Sequence, residues 1–224
     1  MLARPGRIAV LLPRLSPGRS REGSAGCRTP RSGGPALKLV RATADDPGVD
    51  GARTSLLPDC RPLLASPDDL TLVFQPIIDL AGATVAGYEA LARFPGSAGP
   101  DVWFAAAAEA GIAAELEALA IHKALAAVRD LPAGTFLTVN VSPHLLGSAP
   151  VQAALATRPD LLRVVVELTE HTPVHDLDAL RRQCDELRMR GALIALDDAG
   201  SGYSGLQQLA ALRPQVVKLD RAPQ

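Results

Sequence analysis

The sequence predicts an α/β fold in which parallel strands are covered by helices, and three observations carry that expectation. Strand-like and helix-like segments alternate from about residue 70 onward. Leu162–Leu168 and Ala192–Leu196 are nearly unbroken apolar runs, the pattern of strands buried on both faces. Between them Val174, Leu177, Leu180, Cys184 and Leu187 recur at steps of three and four, one stripe of a helix that Gly191 ends. Such β-α-β units arise in a (β/α) barrel and in an open doubly wound sheet alike.

The elements follow in order. Leu70–Leu80 and Thr84–Phe94 read as strands joined at Ala81-Gly82, a turn short enough to make them antiparallel. Asp101–Gly111 reads as a helix with an acidic cap and a glycine stop. Ala113–Arg129, rich in Ala and Leu with its charges on one side, is a second helix. Thr135–Val141 is a strand, and Pro143–Thr157 a helix that Pro150 interrupts. After the two buried runs, Tyr203–Leu212 is a helix and Gln215–Leu219 a last strand.

Upstream the texture differs. Residues 1–67 hold nine prolines and eight glycines with no sustained period of 2 or 3.6, so they are expected to stay disordered, with the domain occupying 68–224. Residues 1–46 carry eight Arg and one Lys against three acids, a charge of +6 inside a chain whose formal net charge is −1. That arm has no interleaved aromatics, and its charges are scattered among Pro, Gly and Ser. A solvated tail is expected rather than a surface for DNA, RNA or a membrane. No apolar run approaches the roughly 18–20 residues of a membrane span, and Pro13 ends Ile8–Leu12 before it reaches the core length of a secretory signal. A cytoplasmic location is the expectation. Cys27, Cys60 and Cys184 lack metal-ligand spacing, and no Ser-His-Asp or Cys-His grouping is apparent. His122, His144, His171 and His175 read as surface or capping residues, and Trp103 and Phe104 as packing for a helix.

Polar residues recur where the apolar strands end. In order they are Glu89 and Arg93, Asn140, Glu167, Asp197 with Asp198, and Lys218 with Asp220. In (β/α) barrels such strand ends form the active-site face. Burying so many polar groups at corresponding positions costs several kcal/mol each unless they bind something charged. Carboxylate and carbonyl oxygens suit Mg2+ or Mn2+, and paired ions of this kind serve phosphodiester hydrolysis. Alternation places Glu89 and Arg93 on one strand face, where a carboxylate and a guanidinium can serve metal and phosphate side by side.

Six short motifs then carry a resemblance. Gly87-Tyr88-Glu89-Ala90-Leu91-Ala92-Arg93 resembles the signature that names EAL domains, and Phe74-Gln75-Pro76-Ile77 their opening strand. Val139-Asn140-Val141-Ser142 is similar to their N-x-S segment, and Glu167-Leu168-Thr169-Glu170 to their E-x-T-E segment. Asp197-Asp198-Ala199-Gly200-Ser201-Gly202 is similar to the D-D-F-G-T-G loop, with Ala199 in place of Phe, and Lys218-Leu219-Asp220 to the K-x-D strand. Six motifs in this order are specific where any one alone is weak.

The resemblance implies a TIM-like barrel of EAL type that is incomplete as written, since the family continues past K-x-D with two more strand–helix units. It implies hydrolysis of cyclic di-GMP to linear pGpG with two Mg2+ or Mn2+ ions. Glu89, Asn140, Glu167 and Asp197 would be ligands of one ion and Asp198 of the second. Lys218 would hold or help activate the attacking water, and Glu170 would steady the loop from Asp198 to Gly202. Gln75, Arg93 and Asp220 would lie on the substrate side. A non-catalytic cyclic di-GMP receptor acting through a partner protein and a non-functional gene fragment are the alternatives, and a homodimer is left open.

Overall fold

In the computed structural model the described residues are 57–169, 176–197 and 211–218, together with two short strands, β1 (Ala9–Val10) and β2 (Lys38–Arg41). The alternation in the first half of the domain folds as expected. β3 (Thr71–Asp79) and β4 (Thr84–Arg93) pair antiparallel, with one register irregularity at Ile77/Ile78. β5 (Phe136–Val141), β6 (Val164–Thr169), β7 (Leu193–Asp197) and β8 (Val216–Val217) then follow β4, each parallel to the one before it. The strand order is the chain order, β1 to β8, so every parallel step is a crossover to the adjacent position.

Helices make the crossovers from β4 to β7. α2 (Pro100–Glu109) and α3 (Ala113–Ala127) connect β4 to β5, α4 (Ala149–Leu155) connects β5 to β6, and α5 (Leu177–Met189) connects β6 to β7. Because side chains alternate along a strand, the sheet has two distinct faces. Outward residues such as Leu137, Val139, Val166, Leu168, Ile194 and Leu196 pack against Ile121, Leu125, Leu180, Cys184 and Leu187 of the helices. Inward residues Ile77, Val165, Ala195 and Val216 form a separate small cluster beside Phe136 and Leu193. All six residues of β6 are buried, which is why its sequence is apolar except at Glu167 and Thr169.

Several expectations need correction. The acid at Asp101 does not cap α2; Gly99 is the N-cap and Pro100 opens the helix, where its missing N–H costs nothing. Residues 143–147 form turns rather than helix, so Pro150 lies in the first turn of α4 and starts it instead of interrupting it. The packed domain also begins before residue 68. α1 (Arg61–Ala65) buries Leu63, and Cys60 and Leu63 join Leu70, Trp103 and Leu116 in a third cluster. Further upstream, β2 pairs antiparallel with β3 through Val40↔Asp79 and Arg41↔Ile78, and β1 pairs with β2. An unpaired β3 edge offers a row of backbone donors and acceptors to such a strand. The expected helix Tyr203–Leu212 lies outside the described residues except at its end.

Candidate functional site

Parallel pairing in chain order brings the carboxyl ends of β4 to β8 to one side of the sheet. Register then decides which side chains meet. Gln75 lies opposite Glu89 across β3/β4, Glu89 is level with Thr138, Asn140 with Glu167, and Thr169 with Asp197. These residues share the inward face, and Lys218 follows Val216 onto it from β8. Gly87 makes room for this layer: a Cβ there would stand 2.6 Å from the ring of Phe136.

Lys218 is the hub. Its Nζ donates to Glu167 Oε2 at 2.8 Å and lies 3.4 Å from Glu89 Oε1 and 3.5 Å from Asp197 Oδ1. Glu167 is 1% exposed, Lys218 6% and Glu89 8%, so these charges interact where water screens them little. Burial works against the charge on Lys218, yet the carboxylates of Glu167, Glu89 and Asp197 outweigh it and raise its pKa. Burial likewise raises the pKa of Glu167; Lys218 opposes that shift, and Glu89 and Asp197 add to it. One ammonium therefore serves three carboxylates.

Asn140 joins from β5. Its Nδ2 donates to Glu89 Oε1 at 3.4 Å, which leaves Oδ1 to act as a fourth oxygen donor. The hydroxyl of Thr138, level with Glu89, is buried without a hydrogen-bond partner. Among the described residues no three carboxylate, imidazole or thiol groups close around one point by themselves; the ammonium of Lys218 stands between the acids. Even so, an all-oxygen set of two Glu, one Asp and one Asn fits a hard divalent cation in kind and in charge.

The other expected residues divide. Gln75 is half-buried beside Glu89, whereas Arg93 is exposed at the end of β4, with Nη1 on the Ala92 carbonyl at 3.0 Å. Glu170, Asp198 and Asp220 lie outside the described residues, as do His171 and His175. His122 and His144 are exposed. Trp103 packs as expected, stacked on Phe94 at 5.2 Å with Phe104 edge-on to the same ring. One residue escaped the sequence analysis. Glu117, on the Ala-rich α3, is buried and accepts the Ser142 backbone N–H at 2.9 Å. Its signal was present, a carboxylate on the stripe Ala113, Ala120, Ile121, Ala124, but it was masked by treating all the helix charges as one solvated side.

Residues 61–222 match the EAL domain family. The chain belongs to that family. Among curated relatives, a protein of Escherichia coli named as a probable cyclic di-GMP phosphodiesterase, PdeG, is 29% identical over 66% of this chain and 32% of its own length. Two solved structures share the fold of this EAL domain. Klebsiella pneumoniae BlrP1 in a manganese and cyclic di-GMP complex has a TM-score of 0.53 at 28% identity, covering 79% of this chain and 43% of that one. Bacillus subtilis YkuI, with substrate cyclic di-GMP and calcium, has a TM-score of 0.56 at 25% identity, covering 70% and 42%. The first curated relatives are matched over only 20–32% of their lengths. Among the described residues no helix is long and apolar enough to cross a membrane.

Proposed function

We propose that this EAL domain hydrolyses cyclic di-GMP to linear pGpG at the carboxyl ends of β4 to β8, using two Mg2+ or Mn2+ ions. The observation that carries the reading is the Lys218 hub, where one buried ammonium gathers Glu89, Glu167 and Asp197 beside Asn140. Glu89, Asn140, Glu167 and Asp197 hold one ion in this reading, and Asp198 serves the second. The bound ions supply Lewis-acid stabilisation of phosphate charge and make water a competent nucleophile at neutral pH. Lys218 donates a hydrogen bond to the attacking water and keeps its oxygen aimed at phosphorus. Attack forms one P–O bond and breaks the P–O3′ bond, and a proton passes to the departing 3′ oxygen, which opens the ring. Arg93, already exposed, pairs with a substrate phosphate. Gln75 and Asp220 contact the dinucleotide, and Glu170 steadies the loop that carries Asp198.

The test is to incubate the purified chain with cyclic di-GMP and Mn2+ and to follow pGpG by chromatography, with binding measured in parallel. Hydrolysis that disappears on chelation and in Glu89→Ala supports the reading. Hydrolysis that survives exhaustive chelation refutes the metal mechanism. Tight binding without turnover would instead make the domain a receptor, and neither binding nor turnover removes cyclic di-GMP as its ligand.

A further inference from the structure

A cavity of about 200 Å3 lies between α2, α3 and the β4/β5 surface, with alanines making much of its wall. Glu117 is its one acidic lining residue, and the lining runs on to Asn140, Ser142 and Thr169 at the strand ends. A buried carboxylate is a costly wall for such a space, where an apolar side chain of the same size would be as stable or more so. Its partner shows what the carboxylate does there. The β5/β6 ladder ends at Val141↔Leu168, and the next amide, Ser142 N–H, donates to Glu117 Oε1 at 2.9 Å. Glu117 thus takes over where sheet pairing stops, two residues past Asn140, and ties the end of β5 to α3.

We propose that Glu117 is a positioning residue: by holding the Ser142 amide it fixes the end of β5 and aims the Asn140 side chain at Glu89 and Glu167. The inference rests on the metal-site reading above for its consequence, weaker metal binding, while the tie itself is independent of any metal.

Three variants decide it, each measured for melting temperature, Mn2+ affinity by electron paramagnetic resonance of the free ion, and Ser142 amide exchange. Glu117→Met keeps the volume and removes the acceptor, so it should remain folded. It should lose Mn2+ affinity about 10–100-fold, the usual cost of removing a group that orients a metal ligand, while Ser142 exchanges faster and the Asn140 side-chain amide resonance shifts. Glu117→Ala should do the same with a lower melting temperature. Glu117→Gln, whose amide oxygen can still accept, should stay near wild type in Mn2+ affinity and in Ser142 exchange. A folded Glu117→Met with wild-type affinity and wild-type Ser142 exchange overturns the proposal, as does a folded Glu117→Gln as impaired as the Met variant. If the wild-type chain binds no Mn2+, the metal-site reading fails, and Ser142 exchange with the Asn140 resonance still decides the tie.

Discussion

Glu89 and Arg93 sit four residues apart on one strand face, yet their surroundings differ sharply. Glu89 is buried against the Lys218 ammonium and the Asn140 amide, while Arg93 is exposed. Removing Glu89 takes away the carboxylate that both Lys218 and Asn140 meet, so Glu89→Ala should abolish pGpG formation. Arg93→Ala should leave kcat within a few-fold and raise KM, because a phosphate contact made equally in ground and transition states changes binding alone. Steady-state kinetics on the two variants distinguish the roles, and normal turnover in Glu89→Ala would refute the assignment. Glu117 provides a pH signature. Burial raises its pKa from the ordinary 4.5 to about 7, with hydrogen bonding to Ser142 pulling the other way. The folded state therefore keeps the proton to higher pH than the unfolded chain. This contribution to stability is fully present below pH 4.5 and is lost as the pH rises through about 7, by no more than roughly 3 kcal/mol. Glu117→Gln should flatten that slope, which urea unfolding of both proteins at pH 5 and pH 8 would reveal.

At the scale of elements, α1 shows how a short segment can belong to the domain without any readable period. Five residues are too few to display helical periodicity. Leu63 is nonetheless 2% exposed in the cluster with Trp103 and Leu116. Leu63→Ala should destabilise the domain by about 2–5 kcal/mol, the cost of deleting a fully buried leucine side chain. Deleting residues 1–67 should lower the melting temperature for the same reason. A Leu63→Ala protein that unfolds at the wild-type denaturant midpoint would show that α1 is only laid on the surface. Gly87 depends on its surroundings in another way: the Phe136 ring, from the neighbouring strand, forbids any side chain there. Its place in the motif was legible in the sequence, but the cause of its size is a contact with β5.

Across the whole molecule the site depends on sheet order. Lys218 and Glu89 are 129 positions apart and meet only because successive parallel strands deliver their carboxyl ends to one side. The all-oxygen donor set also predicts a particular choice of metal. With Ca2+ in place of Mn2+, cyclic di-GMP binding should persist while pGpG production falls away, because the larger ion accepts looser, higher-coordinate geometry that misplaces the water. Calorimetric binding beside a chromatographic assay checks this, and equal turnover with both ions would count against it. The sequence by itself determined the α/β class, the helices between the parallel strands and the residues at the strand ends, because periodicity and apolar runs are local properties. The motifs likewise named Glu89, Asn140, Glu167, Asp197 and Lys218 by type and order. Only the tertiary structure decided that Lys218 bridges three acids, that Glu117 lies inside rather than in solvent, and that Arg163 holds a left-handed φ of 66° while its guanidinium binds the Thr135 and Pro132 carbonyls at 2.6 Å. Each of these turns on which distant groups share a buried space with the residue. That is set by the packing of elements, and no local pattern of residue types encodes it.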